Sequence, residues 1–255
     1  FKMVTALAGL ETRATNTTEK IRDTGTFYKY NSRWHCWQRG GHGWLNITGA
    51  IEKSCNFFFY TIGTRMDIDV LAKYAKYFGL GVKTGVELPS EVAGSVASRE
   101  TAEKNNHSWQ PGDMMSAVIG QSYNAFTPLQ MAKYISMVAN GGNKITPTIV
   151  ESVIRADGTE VPKEEVEQTI KAKLGITDDG TEDLTISQAS ISAVKEGMRS
   201  VTSDESGTAY SVFKNFPIEV GGKTGSAETE SGANNGKTNA WFAGFAPYDD
   251  PEIAV

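Results

Sequence analysis

The stretch Gly221-Gly222-Lys223-Thr224-Gly225-Ser226-Ala227 lies inside a strand-like run from Ile218 to Glu228. On a strand, a Lys, a hydroxyl and a Gly in succession offer one anionic ligand a cation, a donor and an unobstructed backbone. A residue without Cβ lets the ligand lie close. A second strand-like run, Thr238 to Ala246, follows a polar turn holding Asn234-Asn235-Gly236, so the two runs read as an antiparallel pair. Alone, Lys-Thr-Gly recurs by chance, and its meaning depends on what accompanies it and in what order.

Two further segments give it company. Ser54-Cys55-Asn56 breaks the helical pattern of Asn46 to Met66 into two short helices. As plain structure it is a helix junction, since Ser and Asn favour such breaks. As chemistry, Ser54 relays a proton and Asn56 holds a substrate amide. Lys2 heads an apolar helix over 1–11. A solvated lysine is the ordinary reading. A partly buried one can lose its proton and act as base for a hydroxyl. Both ends read as cut: the first helix has no N-cap before Phe1, and Glu252 to Val255 opens a strand.

The 255-residue chain is globular in character, with 39% apolar and 22% charged residues. The net charge of −5 speaks against a nucleic-acid partner, which needs clustered cations. No apolar run reaches the roughly 18 residues of a membrane span. Two cysteines exclude a disulfide-rich scaffold. Residues 12–46 read as loops and short strands, 69–78 as an amphipathic helix stopped by Gly79, and 80–110 as irregular. Thr127-Pro128-Leu129-Gln130 has the form of a capping box, with Gly141-Gly142 as its helix stop. Val150 to Val161 reads as a hairpin about Asp157-Gly158, and Gln188 to Val201 as a helix. Gly207-Thr208-Ala209 reads as a helix start. Trp109 and Trp241 read as core or cleft wall, and His35 and His107 as loop residues without an obvious partner.

The order Ser-x-x-K, Ser-x-Asn, Lys-Thr-Gly resembles the signature of the penicilloyl-serine transferases. Lys2 would end the first motif, placing its serine two positions before Phe1, where a spacing of three puts both on one helical face. Longer segments are similar to the transpeptidase domain of class B penicillin-binding proteins of the elongation type. They are Cys36-Trp37 with Gly40-Gly41-His42-Gly43, Lys53 to Tyr60, Phe78-Gly79-Leu80-Gly81, Ile119-Gly120-Gln121, Thr127 to Gln130 and Gly207-Thr208-Ala209. The resemblance implies an α+β fold like that of serine β-lactamases and D,D-transpeptidases. A five-stranded antiparallel sheet flanked by helices would pack against a mostly helical lobe, with 1–210 forming lobe and loops and 211–255 the sheet. It implies peptidoglycan D,D-transpeptidation through a serine acyl-enzyme, with stem peptides as substrates, β-lactams as inhibitors and a glycosyltransferase as partner. It also implies a place on the extracytoplasmic face of the membrane, anchored by an N-terminal segment outside this chain. Lys2 would be the general base, Ser54 the proton shuttle, and Asn56 the holder of the peptide carbonyl. Lys223 would attract the substrate carboxylate and keep Lys2 neutral. Thr224 and Ser226 would bind that carboxylate, Gly225 would leave it room, and the Ser226 N–H would serve the oxyanion hole. A β-lactamase or penicillin sensor of the same fold is the alternative; it needs a water-activating carboxylate, for which Glu87 and Glu91 are on offer. A non-catalytic binding domain is another.

Beyond those motifs, Cys36, His42 and Cys55 suggest a structural Zn²⁺ site bracing Ser54 and Asn56, with Asp23 as fourth ligand and His35 as its substitute. Cys36 and His42 are separated by five residues. A Cys36–Cys55 disulfide and two unrelated buried thiols remain open as alternatives.

Overall fold

The computed structural model describes residues 1–175, 183–228 and 238–255. The predicted Asn234-Asn235-Gly236 turn lies outside them. Helix α1 (Lys2–Glu11) runs through the centre, with Met3 to Gly9 all buried. Its apolar composition follows from that position, because a helix surrounded by protein has no face to give to water. It packs against α3 (Asn56–Gly63), α4 (Ile68–Tyr77) and α9 (Gln188–Ser203).

Between α1 and α3 lie two small antiparallel pairs. Strand β1 (Ile21–Asp23) pairs with β4 (Gly43–Leu45), and β2 (Thr26–Lys29) with β3 (Ser32–His35). The short α2 (Ile47–Glu52) follows, capped by the Asn46 side chain on the Gly49 N–H. The capping box expected at Thr127 is present at the start of α7 (Pro128–Ala139): Thr127 accepts from the Gln130 N–H, and Gln130 accepts from the Thr127 N–H.

The sheet is antiparallel in the order β5 (Gly221–Glu228), β6 (Thr238–Ala246), β7 (Ile253–Ala254). The resemblance implies a five-stranded sheet, and among the described residues it has three strands. Helices α7 and α9 pack on it and touch each other. Gly221 and Gly222 are needed for packing: a Cβ at either would come within 2.5 Å of the Phe245 or Phe242 ring. The double glycine lets two phenyl rings of β6 press on the strand that carries Lys223.

Several expectations are corrected. Val150 to Val161 forms no strands but a single bridge, Ile154 to Glu160, around the Asp157-Gly158 turn. Ile154 is 58% exposed, and an isolated hairpin with no apolar face to pack is marginal in water. Three helices were not foreseen: α5 (Arg99–Lys104), α6 (Asp113–Ala117) and α8 (Lys163–Leu174), whereas α10 (Tyr210–Phe213) starts where Gly207-Thr208-Ala209 was read as a helix start. Helix α8 buries no residue, so it shows no apolar stripe, but Glu164 and Glu165 start it and Lys171 and Lys173 end it, complementing its dipole. The two histidines have partners: His107 Nε2 lies 2.7 Å from Asp113, and His35, on β3, lies 3.2 Å from the Thr26 hydroxyl. No helix among the described residues is long and apolar enough to cross a membrane.

The α2–α9 contact is close enough to test. A Cβ on Gly197 would stand 2.8 Å from Ile51 Cβ, both deep in the core. Gly197→Ala is therefore expected to destabilise by about 1–3 kcal/mol through overpacking, despite alanine's better helix propensity. A melting temperature equal to or above the parent's would contradict this contact.

Candidate active site

Lys2 enters the cleft from the first turn of α1, where its backbone is fixed by the buried helix behind it. Its Nζ lies 2.9 Å from Ser54 Oγ, 2.9 Å from the Ser54 carbonyl and 2.6 Å from Asn56 Oδ1. The expected helix break supplies this geometry. After α2, Ser54 turns into the left-handed region with φ +51°, its N–H bonded to the Ile51 carbonyl. A non-glycine residue there costs on the order of 1 kcal/mol, a strain of the kind found at functional sites. Cys55 then caps α3, its sulfur accepting from the Phe58 N–H. Ser54 and Asn56 face Lys2, while Cys55 between them turns its sulfur away into the core.

Strand β5 closes the cleft from the other side. Lys2, Ser54, Asn56, Lys223, Thr224, Gly225 and Ser226 all line one pocket of about 390 Å³, in the usual range for a ligand site. The predicted active-site residues therefore meet, although they come from three distant parts of the chain. The sequence did not reveal the apolar side of this pocket. Phe1 stacks on Phe126 at 5.6 Å, and Ile119, Met131 and Trp241 extend that wall. Trp241 is thus cleft wall, and Trp109 packs against the core. Large apolar residues look alike in a sequence whether they face a ligand or a core, so no local pattern marks them.

Burial pushes the Lys2 ammonium down to about 8, opposed by the two nearby cysteines. Lys223 is only 6% exposed, not a surface residue of its strand. Burial first, and then Lys2, drive it well below the usual lysine value. The like-charge effect expected to keep Lys2 neutral therefore falls on Lys223, and Lys2 owes its shift to burial. Nζ of Lys223 donates to the Thr224 carbonyl at 2.8 Å, and the Thr224 hydroxyl lies 2.7 Å from that of Thr208.

On the far side of Ser54-Cys55-Asn56, the four residues suggested for a metal converge. Asp23, Cys36, His42 and Cys55 place one donor atom each within 4.8 Å of all the others. Cys36 and Cys55 are unbonded free thiols with sulfurs 4.0 Å apart. Cys36 Sγ lies 3.5 Å from His42 Nδ1, and Cys55 Sγ 3.3 Å from Asp23 Oδ2. His42 Nδ1 and Asp23 Oδ2 lie 2.7 Å apart, and His42 Nε2 is buried without a hydrogen-bond partner. A tetrahedral ion with bonds of about 2.0–2.3 Å needs donors roughly 3.3–3.8 Å apart, so the cluster is close to the right size, and two thiols, an imidazole and a carboxylate are a donor set suited to zinc. The Cys36–Cys55 contact lowers the pKa of the Cys36 thiol, toward the thiolate that a metal requires, and together with burial it raises that of Cys55. His35 is no part of the cluster; Asp23 is the residue that joins it.

The penicillin-binding protein transpeptidase domain model matches residues 1–255. The chain belongs to that family. It is 33% identical over 254 residues to the peptidoglycan D,D-transpeptidase MrdA of Haemophilus influenzae, covering 94% of this chain and 37% of the relative. It thus spans little more than a third of that relative's length. Among solved structures, penicillin-binding protein 2 of Pseudomonas aeruginosa in complex with WCK 5153 superposes with a TM-score of 0.84 at 29% identity, over 99% of this chain and 53% of the other. The Helicobacter pylori complex of penicillin-binding protein 2 with MreC gives 0.79 at 27% identity, over 99% and 43%. These matches establish the α+β transpeptidase-domain fold.

The burial argument for Lys2 has a direct check. A ¹³C-NMR titration of Lys2 Cε is expected to show a midpoint near 8. An ordinary lysine value of about 10.4 would remove the basis for a neutral amine.

Proposed function

We propose that this chain is the catalytic core of a peptidoglycan D,D-transpeptidase that works through a serine acyl-enzyme. The observation that carries the reading is the clasp of Lys2 between Ser54 and Asn56, in a pocket whose opposite wall is Lys223 to Ser226. A protonated Lys2 spends all three of its N–H donors on the Ser54 carbonyl, Ser54 Oγ and Asn56 Oδ1. The neutral amine can keep the two carbonyl contacts and turn its lone pair outward. That lone pair takes the proton of the nucleophile, a serine we place two positions before Phe1, one turn away on the same helix face.

In this scheme the serine oxygen attacks the D-Ala–D-Ala carbonyl of a donor stem peptide. The oxyanion is met by the backbone N–H groups of the serine and of Ser226. The C–N bond breaks and D-Ala departs with a proton relayed from Lys2 through Ser54. An amine of a second stem peptide then attacks the ester and loses its proton by the reverse path to Lys2; the ester C–O bond breaks, Lys2 returns a proton to the serine oxygen, and the cross-link forms. The donor's terminal carboxylate faces Lys223 and the hydroxyls of Thr224 and Ser226; its arrival makes the protonated form of Lys223 favourable again. β-Lactams would acylate the same serine. A deacylating hydrolase is disfavoured because no carboxylate lines the pocket among the described residues. Glu87 is held by Thr148 and the Ile149 N–H, and Glu91 by the N–H groups of Thr84 and Gly85.

Asp23, Cys36, His42 and Cys55 would hold a structural Zn²⁺, which leaves no position open for water and supplies bracing rather than chemistry. By analogy with the relatives, the whole protein would act at the extracytoplasmic face of the membrane, held by an N-terminal anchor. It would work beside a glycosyltransferase and an MreC-like protein.

In the full-length protein, a fluorescent penicillin is expected to label one serine upstream of Lys2 and to leave it slowly. No labelling, or release within seconds, would overturn the transpeptidase reading. Lys223→Met should slow acylation by about 2–4 kcal/mol in the transition state while leaving the melting temperature close to the parent's. Chelator-free protein should carry about one zinc per chain, lost together with thermal stability in Cys36→Ser. Metal-free protein with a mass two hydrogens short would establish the disulfide instead.

A further inference from the structure

Thr208 touches the active site without lining it. Three neighbours fix its position. Gly207 lies so close to the end of α9 that a Cβ there would stand 2.3 Å from the Ser200 carbonyl and 2.5 Å from that of Val201. Ala209 is buried and donates its N–H to the same Val201 carbonyl at 2.9 Å. Thr208, held between these two anchored residues, sets its Oγ1 2.7 Å from Thr224 Oγ1 across the edge of β5. Gly207-Thr208-Ala209 is therefore more than a helix start: its glycine and alanine fix the backbone, and its threonine is the one member that faces the catalytic strand.

A hydroxyl has a single proton to donate and two lone pairs with which to accept. In the Thr208–Thr224 pair either oxygen can be the donor. If Thr224 spends its proton on Thr208, it turns a lone pair toward a ligand and repels a carboxylate. If Thr208 donates to Thr224, the Thr224 proton is free for the pocket. The two arrangements differ only in a rotation about each C–O bond, but they present opposite polarity to an anion. The polarity is biased from the pocket side, because Lys223 stands on the same strand beside Thr224 and a carboxylate attracted to it needs a donor there.

We propose that Thr208 is a positioning residue for carboxylate recognition. It donates its hydroxyl proton to Thr224 Oγ1 and so commits the Thr224 proton to the terminal carboxylate of the donor peptide or β-lactam. The inference rests on the transpeptidase reading above, in which that carboxylate faces Thr224. Thr208 contacts no reacting atom. Its contribution depends on the ligand carrying a carboxylate, and a purely structural role would not.

The test uses the full-length protein with two acylating ligands, benzylpenicillin and its methyl ester. In Thr208→Val the second-order acylation rate is expected to fall about tenfold for the free acid and less than twofold for the ester, matching the loss of one hydrogen bond. Thr208→Ser, which restores the hydroxyl, should return the free-acid rate to within about twofold of the parent. In a Thr224→Val background, Thr208→Val should cause no further loss, because the group it orients is gone. Equal losses for acid and ester, failure of serine to rescue, or additive losses in the double variant would each overturn the proposal. If the parent protein is not acylated by either ligand, the transpeptidase reading fails instead. If it is acylated and does not prefer the acid, the carboxylate assignment of Thr224 fails, and the role of Thr208 with it.

Discussion

One contact organises this molecule: the amine of Lys2, drawn from a buried helix, held by the Ser54 hydroxyl and carbonyl and by Asn56. Burying an amine is unfavourable unless its hydrogen-bonding capacity is met or its proton is given up. Three acceptors meet that capacity, and burial still brings the group down to about 8. The surroundings must therefore hold those acceptors to within fractions of an ångström. Helix α1 is enclosed by α3, α4 and α9, which fixes the backbone from which Lys2 reaches into the cleft. On the other side, Ser54 is forced into a left-handed conformation that points its hydroxyl at the amine.

That strained turn needs support, and its middle residue provides it. Cys55 is at once the cap of α3 and a corner of the Asp23–Cys36–His42–Cys55 cluster. The two halves of the motif thus face in opposite directions, with Ser54 and Asn56 toward the cleft and Cys55 toward a polar knot tying β1 and the 36–42 loop to α3. In this part of the chain the strands are short, and polar contacts among Asp23, Cys36, His42 and Cys55 tie the segments together. A cation held in the knot would stiffen the acceptors of Lys2 without approaching the reacting atoms.

The second wall is built differently. Strand β5 is positioned by packing: Gly221 and Gly222 admit the rings of Phe245 and Phe242, and α9 lies against the strand. This leaves Lys223 nearly enclosed, with its charge disfavoured until an anion arrives. The cleft therefore presents two lysines, one from α1 and one from β5, whose charged forms burial disfavours. The like charge of Lys2 adds to the burial of Lys223, because two cations in so small a space repel each other. Thr208 adds a third element from α9's end, fixed by the close approach of Gly207.

The sequence by itself determined what is local. The Thr127 capping box, the break at Ser54 to Asn56, the stop of α4 before Gly79 and the run of β6 depend on neighbours within a few residues, and each lies where the residue types place it. The order of the short motifs together with the longer matching segments indicated the family, and ligand types with loop context suggested Asp23, Cys36, His42 and Cys55, which the fold brings together. Only the tertiary structure decided what depends on long-range enclosure. The motif marks Lys223 as a cation for a ligand, but its near-complete enclosure is decided only by the packing around β5. The polar α8 and the reduction of the Val150 to Val161 hairpin to a single bridge depend on whether an apolar surface lies nearby, which no local pattern states. The apolar wall of Phe1, Phe126 and Trp241 and the hydroxyl pair of Thr208 and Thr224 join residues far apart in the chain. The physical reason is common to all of these: dielectric environment and contact across the fold are properties of what surrounds a residue, and the chain settles them only when it closes.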